Sequence, residues 1–269
     1  MGAINTTHIG SFPFDNTDEA IAFAKQFSLP CLPSLPNLNP NEFMLAQVSN
    51  GIDQLQGIED YQFPFSCLDA FISDKEILNR NEMKWQILGP ITLIQSLNPK
   101  PDDKQIESIL YWYRNKIINF QKFLLTFFKK VYLFLDEPVL EFIKHKNYDL
   151  LDDFVSLLDL PKEGSVLGLH CCSRADWKRL LGTTIMAYSF DLQFMDSESF
   201  TLLSSNQKLL FVGVVKTDSC AVLELDFKAF KLENNKDNIW VTPTCGLALT
   251  DKDKVDVIPR LLDETKLIS

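Results

Sequence analysis

The chain has 269 residues, 46% of them hydrophobic, enough for one large domain around a single sizeable core. A formal net charge of −10, with no Lys/Arg cluster, argues against a nucleic-acid partner; the short basic runs Lys129-Lys130 and Lys144-His145-Lys146 read as solvated helix ends. No apolar stretch reaches the ~18 residues of a membrane span, and residues 1–11 lack the basic-then-apolar order of a signal peptide. A cytoplasmic protein is expected, with its 6 cysteines mostly reduced.

Short apolar runs alternate with amphipathic ones along the chain. Strand ends are predicted near Gly10, Pro33, Leu88, Asp136, His170, Phe190, Val215 and Val241. The clearest strands, at 131–135, 166–169, 209–215 and 239–241, are short, apolar and bounded by turn residues, as parallel strands buried on both faces are. Helices are predicted over 15–27, which opens on acidic residues that suit the positive end of a helix dipole, and over the long amphipathic stretch 102–128. Further helices are predicted over 149–158, 174–181 and 251–264, and no strand is placed between 50 and 82. The Pro- and Asn-rich segment 29–41 reads as a loop, and no repeat or low-complexity tract divides the chain, so residues 1–269 are predicted as one domain. Eight strands alternating with helices predict an α/β fold, a single (β/α)8 TIM barrel. An open doubly wound sheet is the alternative, weakened because no glycine-rich phosphate loop follows the first strand.

Barrel chemistry sits just after strand ends. His170-Cys171-Cys172 follows the run 166–169, and Cys245 follows 239–241 within Thr-Pro-Thr-Cys-Gly. Residues i and i+2 of an extended segment point the same way, so His170 and Cys172 face together and Cys171 turns elsewhere. One imidazole and two thiols are a zinc donor set. Asp191, just past 185–190, is the candidate fourth ligand. A carboxylate beside thiolates could yield to a substrate thiol, as catalytic zinc sites require; the competing role of Asp191 is an ordinary helix N-cap. Cys31, Cys67 and Cys220 read as packing residues, as do Trp85 and Trp177. His8 either lines the barrel mouth or is a satisfied structural histidine.

Five patches in order carry a family resemblance: Thr7-His8-Ile9-Gly10-Ser11-Phe12-Pro13, Leu88-Gly89-Pro90-Ile91-Thr92, Leu135-Asp136-Glu137-Pro138, His170-Cys171-Cys172, and Pro243-Thr244-Cys245-Gly246-Leu247. The chain resembles the C-terminal catalytic barrel of cobalamin-independent methionine synthase. That superfamily also holds uroporphyrinogen decarboxylase and the corrinoid methyltransferases. The resemblance implies zinc held by His170, Cys172 and Cys245, with the family's glutamate ligand falling on or near Asp191. It also implies that Ile9, Gly10, Ser11 and Asp136 hold the amino-acid part of homocysteine. Two positions depart from the family. Asp218 stands where the family places a catalytic histidine, and the glutamate that grips the homocysteine amino group has no match in 35–40. The family's N-terminal barrel has no counterpart here, so the chain looks closer to short, stand-alone members. Some short cores of that type take their methyl group from a methylcorrinoid, free or protein-bound.

The resemblance thus implies a zinc-dependent methyltransferase that activates a homocysteine-like, small-molecule thiol and yields a thioether such as methionine. The implied cofactor is zinc, and a corrinoid or corrinoid protein is a candidate methyl donor. Asp136 is expected to pair with a substrate ammonium. Asp218 is either an acid or a backbone hydrogen-bonding residue, and Glu137 either orients its neighbours or is structural. The alternatives are a non-catalytic zinc- or corrinoid-binding barrel and a uroporphyrinogen-decarboxylase-like enzyme. The second needs early arginines for substrate carboxylates, yet the first Arg is Arg80.

Overall fold

Strands form where apolar runs allow burial on both faces. A computed structural model describes residues 5–52, 62–143, 145–223, 225–226, 238–265 and 267–268. Its strands are β1 (Asn5–Thr6), β2 (Glu82–Leu88), β3 (Lys130–Asp136), β4 (Ser165–Cys171), β5 (Ala187–Asp191), β6 (Leu209–Val215), β7 (Leu225–Asp226), β8 (Ile239–Pro243) and β9 (Leu267–Ile268). Seven of them form one parallel sheet in the order β1-β8-β6-β5-β4-β3-β2, while β7 and β9 pair separately. Strand ends at Leu88, Asp136 and Val215 fall where the sequence put them, and those of β4, β5 and β8 lie one or two residues later.

The eight-stranded expectation is corrected at one place. No ladder-length strand forms near Pro33; residues 29–34 pass between the two edge strands, with isolated bridges from Cys31 to Lys84 of β2 and from Ser34 to Ser11, beyond the end of β1. The Leu29 N–H donates to Thr6 O at 3.0 Å and the Leu32 N–H to Lys84 O at 2.8 Å. Pro30 and Pro33 lack the N–H that a continuous ladder needs. The architecture is therefore a curled seven-stranded parallel sheet with a proline-rich segment laid between its edges.

Eleven helices accompany the sheet among the described residues: α1 (Thr17–Ala24), α2 (Ala46–Ile52), α3 (Leu68–Ser73), α4 (Lys75–Asn79), α5 (Pro90–Ser96), α6 (Asp103–Leu124), α7 (His145–Ser156), α8 (Trp177–Leu180), α9 (Ser197–Ser205), α10 (Lys252–Val255) and α11 (Ile258–Asp263). The predicted helix at 251–264 is broken in two, and α2, α3, α4, α5 and α9 arise where the sequence reading placed none. α6 starts at a capping box, with Asp102 Oδ1 accepting from the Gln105 N–H and the Gln105 side chain accepting from the Asp102 N–H. Its buried face, Ile109, Leu110, Tyr113, Ile117, Gln121 and Leu124, recurs at helical spacing. Lys129 follows the end of α6 and Lys130 opens β3, so that pair is not a helix end; Lys144 lies outside the described residues. No described helix is long and apolar enough to cross a membrane.

Alternation along the strands divides the core. Val131, Leu133 and Leu135 pack outward with the helices, while Tyr132 and Phe134 turn inward to join Leu29, Ala187 and Phe211. Phe134 and Phe211 meet edge-on with ring centroids 4.8 Å apart. This dry inner cluster supports the strand ends, where the polar residues gather. Trp85 and Trp177 are buried as predicted, the Trp85 indole N–H donating to Gln121 Oε1 at 2.7 Å.

Candidate functional site

At the C-terminal end of the sheet a cavity of about 460 Å³ opens to solvent, within the size range of small-molecule sites. Its lining gathers residues from the whole chain: Ile9, Gly10 and Ser11 after β1, Asp136 at the end of β3, His170 and Cys172 from β4, Asp218 after β6, and Cys245 after β8. All eight of these positions were singled out by sequence, and they converge because the parallel strands end on one side of the sheet. Register sets which residues are neighbours: Asp136 is opposite His170 and His170 opposite Ser189.

His170 is buried, and its Nδ1 lies 2.9 Å from Ser189 Oγ. That bond fixes the ring and leaves Nε2 as the nitrogen available to a ligand, the usual arrangement behind a metal-binding imidazole. Cys171 turns away to the outer core, with Sγ 3.3 Å from Ser173 Oγ, while Cys172 points into the cavity. Cys172 and Cys245 are hydrogen-bonded to one another. The Cys172 bond pulls the Cys245 thiol down, helped by His170 and the Gly246 N–H, and the same bond with burial pushes Cys172 up. Gly246 beside Cys245 lies close against Ser11, so that a Cβ there would displace Ser11 Oγ.

The donor set fits zinc by type: an oriented imidazole and two cysteine sulfurs in mutual contact. These are pairwise hydrogen bonds, not a closed shell, and among the described residues no group of three His, Cys, Asp or Glu takes up a metal-holding arrangement. Asp191 does not line the cavity. Its Oδ1 accepts from the Gln193 N–H at 2.9 Å as the N-cap of a short turn, although its charge still acts on His170 and Cys245.

The two neighbouring carboxylates diverge. Asp136 faces the cavity, accepts from Gln86 Nε2 through Oδ1 at 2.7 Å, and is pushed up to about 6, chiefly by burial. Glu137 faces outward to the start of α5. Its carboxylate accepts from the Ile91 and Thr92 N–H groups at 2.8 Å and from Thr92 Oγ1 at 2.6 Å. Burial raises it to about 7 against those bonds. Gly89 is glycine for the same reason, since a Cβ would overlap the Glu137 carboxyl. The Leu-Gly-Pro-Ile-Thr and Asp-Glu-Pro patches are therefore two halves of one structural joint, and Glu137 is structural.

Asp218 sits exposed at the rim, held low by its hydrogen bond from Ser219 Oγ at 2.9 Å. His8 lies outside the cavity lining, in a cage of Phe12, Phe23 and Phe27, where Nε2 accepts from the Cys31 N–H at 3.2 Å. It is the satisfied structural histidine. Cys31 and Cys67 are buried, whereas Cys220 is only half-buried.

Sequence reading passed over several lining residues. Gln86 was missed although polar residues at 84 and 86 in an otherwise apolar strand mark its inward face. Phe43, Met44 and Leu249, exposed apolar side chains on two rim loops, carried no local signal.

A curled parallel sheet with its reactive groups at the C-terminal strand ends defines a TIM-barrel-like α/β protein. No family model and no curated protein matches the chain. Among solved structures it is similar to a methyltransferase from Methanosarcina mazei, with a TM-score of 0.58 and 12% identity over 98% of this chain and 94% of that one. It is also similar to a B12-independent methionine synthase from a Shewanella species in complex with selenomethionine, with a TM-score of 0.53 and 14% identity over 71% of this chain. The match spans 64% of that synthase chain, less than two thirds of its length. At these identities the likeness is one of fold.

Proposed function

We propose that this protein is a zinc-dependent methyltransferase acting on a small thiol that carries an amino group. The observation that carries the reading is the contact among His170, Cys172 and Cys245 beside Asp136 in one cavity. His170, Cys172 and Cys245 would hold the ion, and Asp191 is the candidate for a displaceable fourth position. Zinc, when bound, supplies the charge that keeps an incoming thiol ionised near neutral pH.

The chain's own residues do the rest. Ser189 orients His170. Asp136 accepts hydrogen bonds from the substrate ammonium, and the Ile9–Ser11 turn lies across the cavity to receive the remainder of an amino-acid-like thiol such as homocysteine. The substrate thiolate attacks the methyl carbon, the sulfur–carbon bond forms, and the carbon–donor bond breaks with its electron pair leaving on the donor. Asp218, exposed and ionised, is a poor proton donor for a nitrogen leaving group. A methylcorrinoid needs no such proton, since cobalt leaves as Co(I), and the apolar rim of Phe43, Met44 and Leu249 suits a donor with an extended apolar face. This favours a corrinoid donor.

The test is metal content with thioether formation. About one zinc per chain is expected, falling sharply in Cys245→Ala and His170→Ala, together with methionine from homocysteine and methylcobalamin. No zinc after reconstitution under reducing conditions sinks the reading. Bound zinc with an unconsumed methyl donor favours a non-catalytic binding protein.

A further inference from the structure

Lys84 lies on the inner face of β2 and is completely buried. Its Nζ has no hydrogen-bond partner and sits 5.0 Å from the Phe134 ring centroid and 6.0 Å from that of Phe211. Burying an ammonium is costly unless something offsets it. Two aromatic faces offset part of the cost. Cys31 and the carboxylate Asp136 are near enough to act on it, and Lys84 and Asp136 influence each other.

Gln86 stands between them in sequence order on the same face of the same strand. Its Nε2 donates to Asp136 Oδ1, which settles the amide orientation, because an amide oxygen there would face a carboxylate oxygen. Gln86 Oε1 therefore points away from Asp136, and it too is buried without a partner. An ammonium with donors to spare and an amide oxygen without a partner thus lie two residues apart on the face of β2 that adjoins Asp136. The amide pins Oδ1 of Asp136, leaving Oδ2 for a ligand, while the Lys84 charge acts on the same carboxylate. Met83, Trp85 and Ile87, between and beside them, face the helices and take no part.

We propose that Gln86 and Lys84 are positioning residues that fix Asp136 as an ammonium receptor and so make the site selective for thiols bearing a primary amine. The inference rests on the role given to Asp136 above. It is tested by calorimetric binding of homocysteine and of its deaminated analogue 4-mercaptobutanoate to the whole protein, with and without zinc.

The unsubstituted protein is expected to prefer homocysteine by about tenfold or more, the scale of one hydrogen bond to a charged group. Gln86→Met is expected to remove most of that preference. Lys84→Met is expected to reduce it several-fold while leaving thermal stability unchanged or raised, since Met fills the same slot without a buried charge. Both variants should load zinc as before. A lowered melting temperature with the preference intact would mean a structural role only and would overturn the inference. So would a zinc-loaded protein with no amine preference, which leaves the methyltransferase reading standing. A protein that takes no zinc yet keeps the preference supports the inference and sinks that reading. Binding of neither thiol sinks both.

Discussion

The cavity floor and the cavity rim are built on different principles. On the floor, Gln86, Asp136 and His170 are all buried, each on a strand, and each tied to a side chain of a neighbouring strand at 2.7 to 2.9 Å. At the rim, Phe43 is 47% and Leu249 93% exposed, on loops, beside an exposed Asp218. Buried polar groups must be satisfied by fixed partners, so the floor holds a defined geometry. Exposed apolar loops carry no such constraint, and they suit a large partner whose shape they can follow. Positioning belongs to the sheet, and adaptable capture belongs to the loops.

That contrast can be broken by substitution. The largest effect is expected at the joint behind the floor: Gly89→Ala drives a Cβ into the Glu137 carboxyl and should cost about 3 kcal/mol or more in urea unfolding. A cost within about 0.5 kcal/mol would show that the joint yields.

Next comes pH. Glu137, raised to about 7, and Asp136, raised to about 6, hold protons in the folded state that the unfolded chain has already released. Between the ordinary carboxylate range and pH 7 the folded state binds more protons, so stability falls as pH rises through that window, by ~1.4 kcal/mol for each unit of displacement. Denaturation midpoints at pH 5, 6 and 7 should decline, and Glu137→Gln should flatten the decline. A rising profile would contradict the burial of both groups.

Smaller still, Leu249→Asp should leave stability within about 0.5 kcal/mol and weaken methyl-donor binding roughly fivefold. A destabilisation as large as that at Gly89 would erase the distinction between floor and rim. Last, Asp218→Asn should change the methyl-transfer rate by no more than about twofold, because the group is exposed and ionised. A hundredfold loss would make Asp218 an acid and return a nitrogen donor to consideration.

By itself the sequence determined what repeats locally. Apolar runs of strand length placed most strand ends, and their order specified a parallel sheet with its chemistry at one end. His170, Cys172, Cys245, Asp136 and the Ile9–Ser11 turn were legible because they follow those ends directly, and alternation alone separated Cys172 from Cys171. Tertiary structure decided what depends on pairing between distant segments. Pro30 and Pro33 kept the expected second strand from forming a ladder, a matter of missing donors between two edges. Asp191 capped its own turn, while Asp136 at the end of β3 and Glu137 just beyond it turned to different partners and different tasks. Only the register of β2 against β3 sets Lys84 over Phe134 and Gln86 against Asp136. A hydrogen bond or a collision across strands is fixed by three-dimensional register, and no local window of sequence contains it.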